Sequence, residues 1–253
     1  YKDMRTHTGR ETVIALWIAV RFFRPEFITE NGIEVHAWVE NFYVGTDLTA
    51  KVLQMHPDWV MYNDDGTTIQ RNEGGPYYFI DPANKEVQDT LIAYYNDLFT
   101  KHPEIAGLNL DYIRYPVSSQ DEDTGFTMEA MKGFYALKGK EFNASQLADR
   151  TKMYNKFKQL FDANYLIGGQ AEADANYAEW VSYRTQVITY YVRRIKTEVK
   201  DANNIMLSTS VFASASTENS TDSPISVVTE ALPSVVSYSS FPDSNSHFHW
   251  KVY

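Results

Sequence analysis

Apolar and polar positions change rhythm along this chain in short blocks, and the sharpest block lies near its middle. It reads Gly107-Leu108-Asn109-Leu110-Asp111-Tyr112-Ile113-Arg114-Tyr115-Pro116. A mostly apolar run over residues 105–110 ends in an aspartate, an arginine follows three residues later, and Pro116 stops regular structure. Such a run between breakers predicts a strand buried on both faces. A carboxylate at the C-terminal end of a parallel strand is well placed for chemistry, although an Asp–Arg pair also closes many strands structurally.

The same reading predicts strands over residues 33–39, 77–80, 205–212 and 235–238. Residues 12–23 are apolar, rich in β-formers and ended by Pro25, and fit a strand or a buried helix equally. Helical periodicity predicts helices over 83–99, with Val87, Leu91, Tyr94, Tyr95 and Leu98 on one face, over 128–138, 146–164 and 174–201, and a short one over 227–232. Asp81 is expected to N-cap the helix that starts at Ala83, with Pro82 at its first position, and Asp47 to cap a helix ending near Met55. Residues 27–31 form a short helical approach that Gly32 ends. Asn63-Asp64-Asp65-Gly66 and Asn72-Glu73-Gly74-Gly75-Pro76 mark turns. The tail beyond residue 238 reads as irregular.

Strands alternating with helices predict an α/β domain with a mainly parallel sheet. Five or six strands are legible and a closed barrel needs eight, so either strands are missing at the ends or the sheet is open. No linker, repeat or low-complexity block divides residues 1–253, which read as one domain.

Composition narrows the partners. The net charge of −10 and pI near 5.1 argue against nucleic acid and against an anionic membrane surface. Aromatic residues reach 15%, with 18 Tyr, 14 Phe and 5 Trp, which suits either sugar stacking or ordinary packing. The absence of cysteine removes thiol catalysis, disulfides and cysteine-held zinc. No stretch is long and apolar enough to insert in a membrane. Residues 1–5 do not read as a signal peptide, and without an initiator Met the chain is expected to be a piece of a longer protein. The acidic run over 118–125 invites calcium, but its spacing matches no calcium loop and a solvated loop is the simpler reading.

Several motifs stand in one order: Glu34-Val35-His36-Ala37-Trp38-Val39 before Asn41, His56-Pro57-Asp58-Trp59, Phe79-Ile80-Asp81-Pro82-Ala83-Asn84, the block 107–116, Tyr183-Arg184, Arg193-Arg194-Ile195-Lys196, and Leu207-Ser208-Thr209-Ser210-Val211. Together they resemble the glycosyl hydrolase-like 10 family, also called DUF187, over about residues 13–210. The resemblance implies a TIM (β/α)8-type barrel, incomplete at one or both ends here. It implies a secreted or cell-envelope protein of bacterial type that cleaves O-glycosidic bonds of a polysaccharide, with cell-wall glycan one candidate. Two departures stand out: residues 21–27 are shortened, and those after 241 do not match the family's later strands.

Glycoside hydrolysis normally uses two carboxyl groups, one protonated and one ionised. Asp111 is the expected nucleophile or base, held ionised by Arg114 if the chain turns after Asp111. Its partner is open among Glu40, Asp81 and Glu73, whose ordinary roles would be surface charge, helix cap and turn. His36, Trp38, Asn41, Tyr112, Arg114 and Arg184 are expected to bind substrate. No cofactor or metal is expected. The alternatives are a non-catalytic glycan-binding barrel and a metal-dependent polysaccharide deacetylase or hydrolase. The latter needs His and Asp ligands to converge, for which the pair His247 and His249 near the tail offers little.

Overall fold

The structure, a computed structural model, describes residues 4–5, 11–15, 30, 32, 34–70, 75–116, 123–212 and 247–252, with backbone alone for the two N-terminal segments, for 211–212 and for 247–252. The expectations for residues 227–232 and 235–238 lie outside the described residues, as does that for 27–31 apart from Glu30, which lies in a turn.

Among the described residues a six-stranded sheet organises the fold, in the order β1 (Met4–Arg5), β2 (Glu11–Ala15), β3 (Glu34–Glu40), β6 (Ile105–Asp111), β7 (Met206–Phe212) and β8 (His247–Val252). The inner strands β2, β3, β6 and β7 run parallel, and β1 and β8 flank them antiparallel. The sheet does not close on itself among the described residues. The tail, expected to be irregular, supplies β8. The expected strand over 77–80 narrows to β5 (Tyr78–Phe79), which pairs antiparallel with β4 (Tyr43–Gly45) in a separate small sheet.

The central strand β6 is buried on both faces over residues 107–110, as expected, but only one of those faces is apolar. Leu108 and Leu110 pack into the main core with Val39 of β3 and Leu207 of β7. Gly107, Asn109 and Asp111 alternate to the other face, in register with His36, Trp38 and Glu40. Asn109 is fully buried there, donating to Ser208 Oγ (2.8 Å) and accepting from Ser210 Oγ (3.0 Å). One face of the sheet is thus greasy and the other polar. Period-two alternation separates them.

Two helices cover the greasy face. In α2 (Lys85–Lys101), Val87, Ile92, Tyr95 and Phe99 are buried. Its N-cap is Asn84, whose side chain accepts from Glu86 N–H (2.9 Å). The expected cap, Asp81, instead accepts from Ala83 N–H (2.8 Å) in a turn that precedes the helix. Asn and Asp cap comparably well, so local preference cannot choose between them. Asp47 likewise bonds Thr49 ahead of α1 (Lys51–Met55), whose N-cap position holds Ala50.

The expected helix over 146–164 is broken in two places. Asp149 and Asp162 adopt extended N-cap geometry, so the segment becomes α4 (Ala144–Leu147), α5 (Arg150–Phe157) and two short 3-10 turns. The long helix α6 (Gly169–Ile195) starts five residues earlier than expected, where Glu172 accepts from Gly168 N–H (2.9 Å). Its C-terminal half packs on the sheet through Ile188, Tyr191, Val192 and Ile195. Its N-terminal half joins α3 (Met128–Leu137) and α5 in a second core around Trp180, whose ring lies 5.2–5.5 Å from those of Phe126, Phe134 and Phe157. Such aromatic pairs add roughly 0.5–1.5 kcal/mol each beyond the area they bury. No helix among the described residues is long and apolar enough to cross a membrane.

Candidate active site

The polar face of the sheet ends in two carboxylates. Glu40 and Asp111 are the last residues of β3 and β6 and stand as register partners on adjacent parallel strands. Adjacent strands lie about 4.8 Å apart, and partners share a face. Both acids therefore emerge side by side at the C-terminal edge of the sheet.

Asn41 locks the two strand ends together. Its backbone N–H (2.9 Å) and side-chain Nδ2 (2.8 Å) both donate to the Asp111 carbonyl. Its Oδ1 accepts from the Tyr95 hydroxyl of α2 (2.7 Å) and, at 3.5 Å, from Tyr191 of α6. Asn41 was expected to meet sugar hydroxyls. It is buried instead, and its amide is used within the protein.

The chain turns sharply after Asp111. Tyr112 sits in the left-handed region at φ 48°, and its N–H donates to Asp111 Oδ1 (2.8 Å). A non-glycine residue there carries roughly 1–3 kcal/mol of strain, which surrounding contacts must hold. They are aromatic: Tyr112 stacks on Tyr43 at 5.0 Å and meets the edge of Phe79 at 5.8 Å. Tyr77 joins Tyr43 edge-on at 5.0 Å. Arg114 lies over the Tyr112 ring at 5.2 Å and donates to the Tyr115 carbonyl (3.2 Å). A half-buried tyrosine wall thus stands beside the carboxylates.

Electrostatics separate the candidate acids. Partial burial raises the Glu40 carboxyl above the ordinary glutamate range, and the neighbouring charge of Asp111 raises it further. The side chain nonetheless remains solvent-exposed. Tyr43 is raised by burial and then by the charges of Glu40 and Tyr77, which puts Glu40 and the tyrosine wall in one electrostatic neighbourhood.

Asp81 occupies a different setting. It is 1% exposed, accepts from the Thr127 hydroxyl (2.6 Å) and Ala83 N–H, and ties the start of α2 to that of α3. Burial pushes its carboxyl up to about 6, against the pull of both hydrogen bonds. That value would suit a general acid, but among the described residues Asp81 has no open surface beside it. Because the folded state holds this proton more tightly than the unfolded chain, its stabilising effect is full below about pH 4 and lost as pH climbs through about 6. Raising pH from about 4 to about 7 is expected to cost the unaltered protein on the order of 2 kcal/mol relative to Asp81→Asn. Urea unfolding of both proteins at the two pH values measures this; parallel pH dependences would contradict it.

The remaining expected site residues divide. His36 is buried in the polar face two pleats before Glu40, with its ring against Gly107. A Cβ on Gly107 would fall 2.6 Å from the imidazole, so glycine is what lets the ring lie across β6. Trp38 is half-buried between His36 and Glu40, and its indole N–H has no partner among the described residues. Arg184, expected to bind substrate, is 4% exposed and forms an ion pair with Asp123 (2.6 Å) while donating to the Thr124 carbonyl (2.6 Å). The rings of Trp180 and Tyr115 flank its guanidinium. Glu73 lies outside the described residues. Tyr43 and Tyr77 were not among the expected site residues; the signal available was Tyr43 following Asn41 at a strand end. Among the described residues no three His, Asp or Glu side chains group as metal ligands, so the metal-dependent reading gains no support there.

Residues 26–224 match the sequence model of the family described as glycosyl hydrolase-like 10. Among solved structures the chain is similar to TtGalA, an alpha-galactosidase from Thermus thermophilus in complex with p-nitrophenyl alpha-D-galactopyranoside. Identity is 18%, covering 65% of this chain and 23% of that one, with a TM-score of 0.30. It is also similar to the alpha-galactosidase from Lactobacillus brevis, at 16% identity, 66% and 22% coverage and a TM-score of 0.30. The chain thus spans under a quarter of the length of either structure, and likeness at this level says nothing about substrate or mechanism. No curated protein matches the chain.

Proposed function

The chain belongs to the glycosyl hydrolase-like 10 family, and on that premise we propose that it hydrolyses O-glycosidic bonds of a polysaccharide at the C-terminal edge of its parallel sheet. The observation that carries this reading is the register pairing of Glu40 with Asp111. Two carboxyl groups with opposed protonation states are the usual equipment for glycoside cleavage. Asp111, with one oxygen held by Tyr112 N–H, is the ionised member that attacks the anomeric carbon or activates water. Glu40, raised by partial burial and by Asp111, keeps its proton to higher pH and donates it to the departing oxygen.

The tyrosine wall of Tyr43, Tyr77 and Tyr112 would stack sugar rings, with Trp38 and Arg114 beside it. Asn41 and Arg184 act in this reading by holding the framework. The barrel that the family resemblance implies would complete the walls of the site, and the domain would comprise residues 1–253. A polysaccharide substrate, cell-wall glycan among the candidates, goes with an extracellular or envelope location.

Glu40→Gln tests the assignment of the acid. It is expected to lower kcat at least ~10²-fold on a polysaccharide, whose leaving sugar needs a proton. The loss should shrink on an aryl glycoside with an acidic phenol, which departs without one. Equal loss on both substrates, or none on either, would contradict the role. Binding of glycan without cleavage by the unaltered protein would favour the non-catalytic alternative.

A further inference from the structure

The spacing of the two carboxylates bears on the stereochemistry of the reaction and on a second activity. Resting on the hydrolase reading above, we propose that the site cleaves with retention of anomeric configuration through a glycosyl ester on Asp111, and so also transfers glycosyl groups to alcohol acceptors. An inverting site must separate its two carboxyl groups by about 6.5–9.5 Å to hold a water against the far face of the sugar, whereas a retaining site brings them to about 5–5.5 Å. Glu40 and Asp111 are register partners on neighbouring parallel strands, whose axes are about 4.8 Å apart. Side chains on one face stand roughly perpendicular to the sheet, which keeps their ends near the strand spacing.

Two further observations hold that spacing. Asn41 fastens the end of β3 to the Asp111 carbonyl through two hydrogen bonds, so the strand ends cannot drift apart without breaking both. Asp111 Oδ1 is oriented by Tyr112 N–H (2.8 Å), which fixes a nucleophile better than it fixes a base serving a mobile water. Burial raises the Glu40 carboxyl first and the charge of Asp111 raises it further, and this second, smaller contribution fits the same closeness.

The steps balance without any further reagent. An Asp111 oxygen attacks the anomeric carbon as the bond to the leaving oxygen breaks, and Glu40 gives that oxygen its proton. Glu40, now ionised, takes a proton from an incoming hydroxyl, whose oxygen attacks the anomeric carbon while the ester bond to Asp111 breaks. When the hydroxyl belongs to water the outcome is hydrolysis. When it belongs to a sugar or simple alcohol the outcome is a new glycoside, and the Tyr43–Tyr112 stack offers an acceptor ring a surface beside the ester.

The test uses the intact protein and whichever glycan in a panel it cleaves fastest, with methanol added as acceptor. Proton NMR at early times reads the anomeric configuration of the first product, and mass spectrometry reads methyl glycoside. Retained configuration together with methyl glycoside is expected. Inverted product without methyl glycoside would overturn the inference and leave the hydrolase reading standing. Absence of any cleavage across the panel would overturn both. Azide added to Asp111→Ala is expected to yield a glycosyl azide of inverted configuration, and azide added to Glu40→Ala one of retained configuration. The opposite pattern would exchange the two roles and overturn the ester on Asp111. Far-ultraviolet circular dichroism of each variant confirms that the readout comes from folded protein.

Discussion

Asp111→Asn is expected to lower polysaccharide turnover on the order of 10⁴-fold or more, with fold and glycan affinity little changed. The substitution keeps shape. An amide oxygen can still accept from Tyr112 N–H, which Asp111 Oδ1 now does at 2.8 Å, so the left-handed turn keeps its anchor. The backbone carbonyl that receives both Asn41 hydrogen bonds is untouched. What disappears is the negative charge, and with it the power to attack carbon or take a proton. The same loss removes one cause of the raised Glu40 pKa, so any residual activity should have its alkaline limb at lower pH. Rate measurements with a thermal unfolding scan separate the effects. Turnover within tenfold of the unaltered protein would remove Asp111 from the chemistry.

The largest expected effect on stability is at Arg184. Removing one partner of a buried ion pair leaves the other charged and unpaired in a poor solvent, at a cost of roughly 3–5 kcal/mol. Arg184 and Asp123 are both nearly inaccessible, and Asp123 also accepts from the Tyr177 hydroxyl (3.2 Å). The pair joins α6 to the segment that leads into α3, and Arg184 also lies between the rings of Trp180 and Tyr115. Arg184→Ala is therefore expected to lower the unfolding free energy by about that amount, a fall in Tm on the order of 10 °C for a chain of this size. The double variant Arg184→Met with Asp123→Asn should recover part of the loss, because no unpaired charge remains. If KM rises while Tm stays put, Arg184 touches substrate after all and the structural reading fails.

How much of the fold and the site is legible in the sequence depends on the range of the interaction. The strands β3, β6 and β7 carry their signal locally, in alternation between apolar residues and ones such as Asn109, although the run ending at Asp111 reads as more apolar than its polar face is. Helix α2 is legible as a helix, yet its cap moves from Asp81 to Asn84 because two equally good capping residues stand three apart. The breaks at Asp149 and Asp162 lie within a segment whose composition remains helical. The least legible feature is the one that matters most. That Glu40, rather than Asp81, neighbours Asp111 follows from the parallel register of two strands separated by β4, α1, β5 and α2. No local pattern encodes a register, which is set by how whole faces pack. Arg184 shows the converse. It sits within a family-like motif, but its buried partner Asp123 stands in an acidic loop that reads as solvated.

The most direct measurement is release of reducing ends from a panel of cell-wall and plant polysaccharides by the unaltered protein, with Asp111→Asn and Glu40→Gln run in parallel. The account predicts release from at least one polysaccharide, abolished by the first variant and strongly reduced by the second. Binding without release by the unaltered protein, or equal release by all three, would contradict it.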